Sequence, residues 1–136
     1  MDIAEALEFV RKNSHAVLAT TRRDGRPQLS PVDVTVNAGG QVVLSSRDTA
    51  MKVKNLRREP HASLCVMSPQ FYDAWCQVEG VVSVIDLPEA MDGLVDYYRR
   101  AAGEHPDWDE YRAAMVSERR VLVVIDVQRA GPSVAG

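Results

Sequence analysis

The sequence predicts a mainly β domain: an antiparallel, barrel-like sheet of six strands with helices at its periphery. Short runs rich in Val, Ile and Thr are separated by tight-turn pairs such as Asp24-Gly25 and Gly39-Gly40, the pattern of consecutive antiparallel strands. Strands and helices do not alternate in the βαβ manner, which argues against a doubly wound nucleotide fold. The 136 residues, 46% apolar and 26% charged, suit one domain with a true core. Residues 1–136 are therefore read as a single domain, with 129–136 a frayed tail.

The elements follow in chain order. Asp2 and Glu5 have capping-box spacing, and Ile3, Leu7 and Val10 share one helical face, so a first helix runs to Asn13. Residues 15–21 form the first strand and 27–37 the second, alternating through Val32, Val34 and Val36. Gly39-Gly40 turns the chain into a third strand, 41–46. Asp48 or Thr49 can cap a short helix whose Val53 and Leu56 face inward and which Pro60 ends. Residues 61–67 and 74–85 are strands four and five, with Gly80 marking a bulge or a close backbone approach. Pro88, behind Asp86, sits at a plausible first helical position for a helix carrying Leu94, Val95 and Tyr98. Asp107 caps another, carrying Trp108, Tyr111 and Met115. The last strand, 119–127, is almost continuous in Val and Ile, which implies burial on both faces.

Composition excludes several classes of function. The longest strongly apolar run, 121–125, is five residues, against about 20 for a membrane span. No basic leader precedes an apolar stretch, so the expected compartment is cytoplasmic. Cys65 and Cys76 have no metal-ligand spacing and read as reduced and buried. Net charge is −3, yet residues 1–58 hold ten Lys/Arg against six Asp/Glu, and the remainder six against thirteen. A local basic cluster on an acidic protein of pI 5.6 suits a small anion better than nucleic acid, whose readers have a pI above about 9.

No nucleophile, zinc-helix or phosphate-loop motif is present, and His15, His61 and His105 share no spacing. Catalytic side chains stay unassigned and no metal is expected. The acidic run 107–110 is explained by a helix start, where carboxylates face the helix dipole. What stands out is Lys52, Lys54, Arg57 and Arg58 on a short helix directly after a strand, an anion receptor in outline. Lys52 and Asn55, three apart, are expected to point together while the other cations occupy the next sector. A solvated helix face with scattered ion pairs is the competing reading.

These residues also carry a family resemblance. Ala16-Val17-Leu18-Ala19-Thr20, the turn from Asp24-Gly25-Arg26-Pro27 to Val32, the run from Lys52 to Pro60 and the pair Glu79-Gly80 together resemble the split-β-barrel flavin and deazaflavin oxidoreductases, the superfamily of the pyridoxamine 5′-phosphate oxidases. Residues 102–112, with Gly103, His105, Trp108 and Tyr111, look like the branch that uses coenzyme F-420, an 8-hydroxy-5-deazaflavin. The resemblance spans about residues 5–127. It implies an FMN-binding-like, six-stranded split barrel that dimerises, with a cofactor in each of two grooves at the subunit interface.

By that resemblance Pro27, Gln28 and Ser30 would lie against the ring, with the Gln28 amide at its pyrimidine-like edge. Ser45, Ser46, Met51, Lys52 and Asn55 would meet the phosphate and acidic tail. Trp75, in the loop before the fifth strand, would close the groove from the second subunit, with Trp108 and Asp109. The chain departs from the true oxidases: residues 32–37 hold no arginine to grip FMN, and Arg129-Ala130-Gly131 is a poor substitute for their substrate-phosphate motif. The function so implied is a homodimeric coenzyme F-420-dependent oxidoreductase that passes a hydride to a small conjugated organic acceptor. Its alternatives are an FMN-binding flavoprotein of the same fold and a non-catalytic deazaflavin carrier.

Overall fold

The structure is a computed structural model that describes residues 1–134. Its elements are α1 (Ile3–Lys12), β1 (His15–Thr21), β2 (Pro27–Asp33), β3 (Thr35–Val36), β4 (Val42–Arg47), α2 (Met51–Arg58), β5 (His61–Met67), β6 (Trp75–Ile85), α3 (Met91–Ala102), α4 (Trp108–Ser117) and β7 (Arg120–Ala130). One antiparallel sheet runs in the order β2-β1-β5-β6-β7-β4-β3. Its two outermost strands, β2 and β3, are separated in the chain by Val34 alone. The ends of the sheet therefore meet, and the sheet curls into a split-barrel-like form.

The described residues form seven strands, where the sequence reading gave six. Val34 donates its N–H to the Ser14 carbonyl at 2.8 Å, and that bond bends the expected strand 27–37. Before the bend it pairs with β1; after it, Thr35 and Val36 pair with Val43 and Val42. β4 is thereby carried to the far side of the barrel, next to β7.

β7 alternates between two cores, as its doubly apolar sequence requires. Val121, Val123 and Ile125 belong to the barrel interior with Leu18, Leu44, Leu64 and Val78. Leu122 and Val124 join Val43 on the outer face, under Leu94, Val95, Tyr111 and Met115 of α3 and α4. The α1 residues Ala6 and Val10 and the α2 residues Val53 and Leu56 belong to the interior cluster. Burying each of the Val, Leu and Ile side chains among them contributes roughly 1.5–3 kcal/mol. The outer face of β2-β1-β5-β6 is different: Leu29, Pro31, Val17, Ala19, Cys65, Met67 and Trp75 share one side of adjacent strands and stay exposed or half-buried.

Several local expectations change. Asp2 and Asp107 do cap α1 and α4, each accepting backbone N–H groups. Neither Asp48 nor Thr49 caps α2, whose first residue follows Ala50 with no side-chain cap; the Asp48 carboxylate is held instead by Arg119 at 2.9 Å. α3 starts at Met91 rather than at Pro88, and Asp86 is drawn to Arg57. Residues 129–132 are not frayed: Glu79 pairs with Arg129 and Val78 with Ala130, Gly131 donates to Gln77, and Gln77 donates to Pro132. The part of that tail at 135–136 lies outside the described residues. Both cysteines are free, Cys76 buried and Cys65 half-buried on the opposite sheet face. Burial and then Cys65 push the Cys76 thiol up to about 11. Among the described residues no helix is long and apolar enough to cross a membrane, and no group of three or more His, Cys, Asp or Glu could hold a metal ion.

Gly80 sits where the β6–β7 register shifts, and a Cβ there would lie 2.0 Å from the Asp126 carbonyl oxygen. Backbone cannot yield as a flexible side chain does. Gly80→Ala should therefore destabilise the fold by about 1–3 kcal/mol or more, read as a lowered denaturation midpoint in urea; an unchanged midpoint would show that the bulge can relax.

Candidate functional site

The cations of α2 part company. Lys52 faces a groove of about 800 Å³ on one flank of the helix, between the β1–β2 strands and the α3–α4 pair. Met51, Lys54, Asn55, Arg57 and Arg58 line a second cavity of about 980 Å³ on the other flank. Lys52 and Asn55 thus do not share a site, contrary to their spacing. Asn55 is only 1% exposed, and its side chain turns inward.

The Lys52 groove is built from strand alternation and helix packing. On β4, Ser45 faces outward into the groove, while Ser46 is 2% exposed on the barrel side and donates to the Arg47 carbonyl. Arg120, the first residue of β7, and Glu118 lie beside Lys52 in the lining. The opposite wall is aromatic. Tyr97 donates to the Asp33 carbonyl at 2.9 Å, tying α3 to β2, and Tyr111 donates to the Leu94 carbonyl at 2.8 Å. Tyr98 packs against His105, Trp108 and Tyr111 with ring centroids 5.0–5.8 Å apart. Burial pushes the Tyr97 phenol up, and burial with Tyr97 close by pushes Tyr111 to about 12, so both remain hydrogen-bond donors at neutral pH. Lys52 has no ion-pair partner among the described residues. Burial, and secondarily the Arg120 charge, hold its ammonium below the ordinary lysine value. A half-buried cation without a partner favours an incoming anion.

The second cavity is strongly cationic: Arg22, Arg23, Lys54, Arg57 and Arg58 line it, and Asp24 is the one acidic residue in that lining. Arg57 is bound in a fork to Asp86 through bonds of 3.1 and 2.6 Å. That pairing holds the Asp86 carboxyl below its usual range. Arg22, Arg23 and Lys54 form no ion pair among the described residues. A hydrogen-bond chain links this cavity to the barrel. Arg58 donates to the Asn55 Oδ1, Asn55 donates to Thr20 Oγ1 at 3.1 Å, and Thr20 donates to Gln28 Oε1 at 3.2 Å. Gln28 Nε2 in turn donates to the Leu29 carbonyl.

A family model described as pyridoxamine 5′-phosphate oxidase matches residues 3–132. The chain belongs to the pyridoxamine 5′-phosphate oxidase family. Among solved structures, a conserved hypothetical protein from Mycobacterium tuberculosis is 30% identical over 96% of this chain and 82% of its own, with a TM-score of 0.76. A structure named F420 reductase is 20% identical, covering 91% of this chain and 94% of the other, with a TM-score of 0.69. A heme binding protein from Mycobacterium smegmatis is 23% identical over 94% of this chain and 56% of its own, with a TM-score of 0.67. The last two likenesses are likenesses of fold.

On this family fold the residues singled out in the sequence are dispersed. Ser45 and Lys52 line the groove; Gln28, Met51 and Asn55 line the cationic cavity. Pro27 borders a third cavity of about 470 Å³ with His61 and Glu79. Ser30 Oγ is buried without a hydrogen-bond partner among the described residues. Trp75 opens β6 on the uncovered sheet face opposite Met67. The Asp109 side chain is fully exposed, 4.0 Å from Arg112. Sequence reading missed Arg120, Glu118 and Tyr97. The one available signal was strand parity: residues 120, 122 and 124 share the outward side of the last strand.

The Thr20 hydroxyl is the joint of the hydrogen-bond chain. Thr20→Val keeps the shape but leaves the buried Asn55 amide without its acceptor, so stability should fall by about 1–3 kcal/mol, measured by chemical denaturation. Equal stability would mean that Asn55 finds another partner.

Proposed function

We propose that this protein is a homodimeric oxidoreductase that binds coenzyme F-420 and reduces a small conjugated organic acceptor. The observation that carries the reading is Lys52: a desolvated cation with no ion-pair partner among the described residues, set in a groove large enough for a tricyclic ring. Those features fit an anionic, planar cofactor. The second reason is the cationic cavity on the other flank of α2. FMN brings one phosphate, whereas a deazaflavin with its acidic tail brings charge enough for both flanks. Membership of the family does not bring the phosphate-substrate chemistry of the true oxidases, since Arg129-Ala130-Gly131 is a poor substitute for their substrate-phosphate motif.

The chemistry such a cofactor supplies is hydride transfer to the acceptor, with a proton from solvent completing the reduction. The chain's own residues bind and shield. Lys52 holds the anionic group, the Ser45 hydroxyl lies beside it, and the Tyr97, Tyr98 and Tyr111 wall excludes water. No side chain is assigned as an acid.

The dimer is supported by surface that a single chain leaves uncovered. Leu29 is 61% exposed on the apolar face of β2-β1-β5-β6, and Phe71 and Tyr72, in the loop before β6, are 77% and 78% exposed. Val17, Pro31 and Met67 belong both to that face and to the groove lining, so a second copy seated there would wall the groove.

The test is equilibrium binding of FMN and coenzyme F-420, side by side, by fluorescence quenching. Tighter binding of F-420 is expected; preference for FMN would reassign the protein as a conventional flavoprotein, and tight binding without turnover across an acceptor panel would make it a carrier. Lys52→Ala should cost about 1–3 kcal/mol of cofactor affinity, the range for a charged hydrogen bond. Because Lys52 must be charged to hold an anion and titrates below the usual lysine value, affinity should begin to fall as pH rises toward that lowered value. A Lys52→Gln variant should lack this alkaline limb, and an identical pH profile would remove Lys52 from the site.

A further inference from the structure

Charge is unbalanced at the Lys52 end of the groove. Arg47 of β4 and Arg120 of β7 are directly opposed across the strand pair, an arrangement that repels when both residues carry the same sign. Glu118, just past the end of α4, relieves it. Its Oε1 accepts from Arg120 Nε at 3.0 Å and Nη2 at 2.8 Å, and lies 3.5 Å from Arg47 Nη2. Lys52, which lines the same groove as Arg120 and Glu118, adds a third cation to that corner. Other carboxylates are placed elsewhere: Asp48 is held by Arg119, Asp33 lies 3.5 Å from His15, and Glu110 stands two turns up α4. Two arginines thus share one carboxylate oxygen, and Lys52 stands in the same corner with no ion-pair partner among the described residues.

We propose that Glu118 is a resident counter-anion occupying the place of a ligand oxyanion, and that Arg120, with Lys52 and Ser45, receives that oxyanion when Glu118 gives way. Arg120 is suited to the exchange, because a guanidinium pairs with carboxylate and phosphate in the same forked geometry. Glu118 is 29% exposed and lies outside the helical residues of α4, so its side chain can leave without unfolding an element. The inference deepens the reading above and rests on it for the identity of the groove as the ligand site; the oxyanion is a phosphate or a carboxylate.

The test uses inorganic phosphate and, separately, glutarate at constant ionic strength. Thermal midpoints are followed for the wild type, Glu118→Gln, Arg120→Gln and Arg120→Lys. Without added anion, Glu118→Gln should melt lower than the wild type. Phosphate should restore it, with an apparent affinity about fivefold to tenfold tighter than the wild type, since an internal competitor has been removed. Arg120→Gln should weaken phosphate binding about tenfold, the equivalent of one charged hydrogen bond, and Arg120→Lys should recover part of it. A larger response to glutarate than to phosphate would assign the corner to a carboxylate. Phosphate affinity in Glu118→Gln equal to or weaker than that of the wild type overturns the proposal, as does no anion response in any of the proteins. Coenzyme binding unaffected by either substitution overturns this inference alone. Arg120-dependent phosphate binding in a protein that binds neither FMN nor F-420 overturns the cofactor reading and leaves this one standing.

Discussion

β7 is apolar on both faces because it serves two cores at once. Val121, Val123 and Ile125 fill the barrel, while Leu122 and Val124 anchor α3 and α4 outside it. Without the second set the helices would have no apolar surface to lie on, and the aromatic wall of Tyr97, Tyr98 and Tyr111 would not stand across the groove from β1 and β2. The same alternation sends Arg120 outward, to the foot of that wall. A single two-residue period therefore places the core, the wall and one of the groove's cations. A slip of one residue in the β4–β7 register would exchange all three.

The electrostatics follow from where desolvation falls. Arg57 spends its charge on Asp86 at an exposed position, where a pair contributes little, of order 1 kcal/mol or less. Lys52 is half-buried with no such partner among the described residues, so its charge costs more to keep. The helix thus divides a row of cations that looks uniform in sequence into one that is paired for structure, others that face a broad cationic cavity, and one that is set aside in a groove. The Asn55 amide fixes that division. Buried and bonded to Thr20 and Arg58, it sets the rotation of α2 about its axis.

Much of this was readable in the chain itself. The caps Asp2 and Asp107, the bulge at Gly80 and the double burial of the last strand each leave a local mark, in side-chain oxygen, missing Cβ or apolar period. The break at Val34 leaves none, since the two-residue alternation runs straight through it and only the Ser14 carbonyl, twenty residues earlier, decides the bend. Asp48 and Asp86 looked like helix starters because that is what aspartate does locally; arginines remote in sequence claimed them. Lys52 stood out in the sequence from its setting after a strand, whereas Arg120 and Glu118 did not, because their pairing answers a cross-strand opposition that no spacing encodes. Asn55 had the right spacing to join Lys52 and was turned away by a buried hydrogen bond.

The bend at Val34 also bears on how this sheet can meet other chains. Its two terminal strands are poor templates for adding a further strand: β3 is two residues long, and β2 contains Pro27 and Pro31, which have no N–H to offer. Edge-to-edge growth, the usual route from a β protein to fibrils, is blocked at both ends by chain geometry and proline chemistry. A contact with another chain would thereby fall on the faces rather than the edges, where side chains, rather than the backbone, decide which surfaces match.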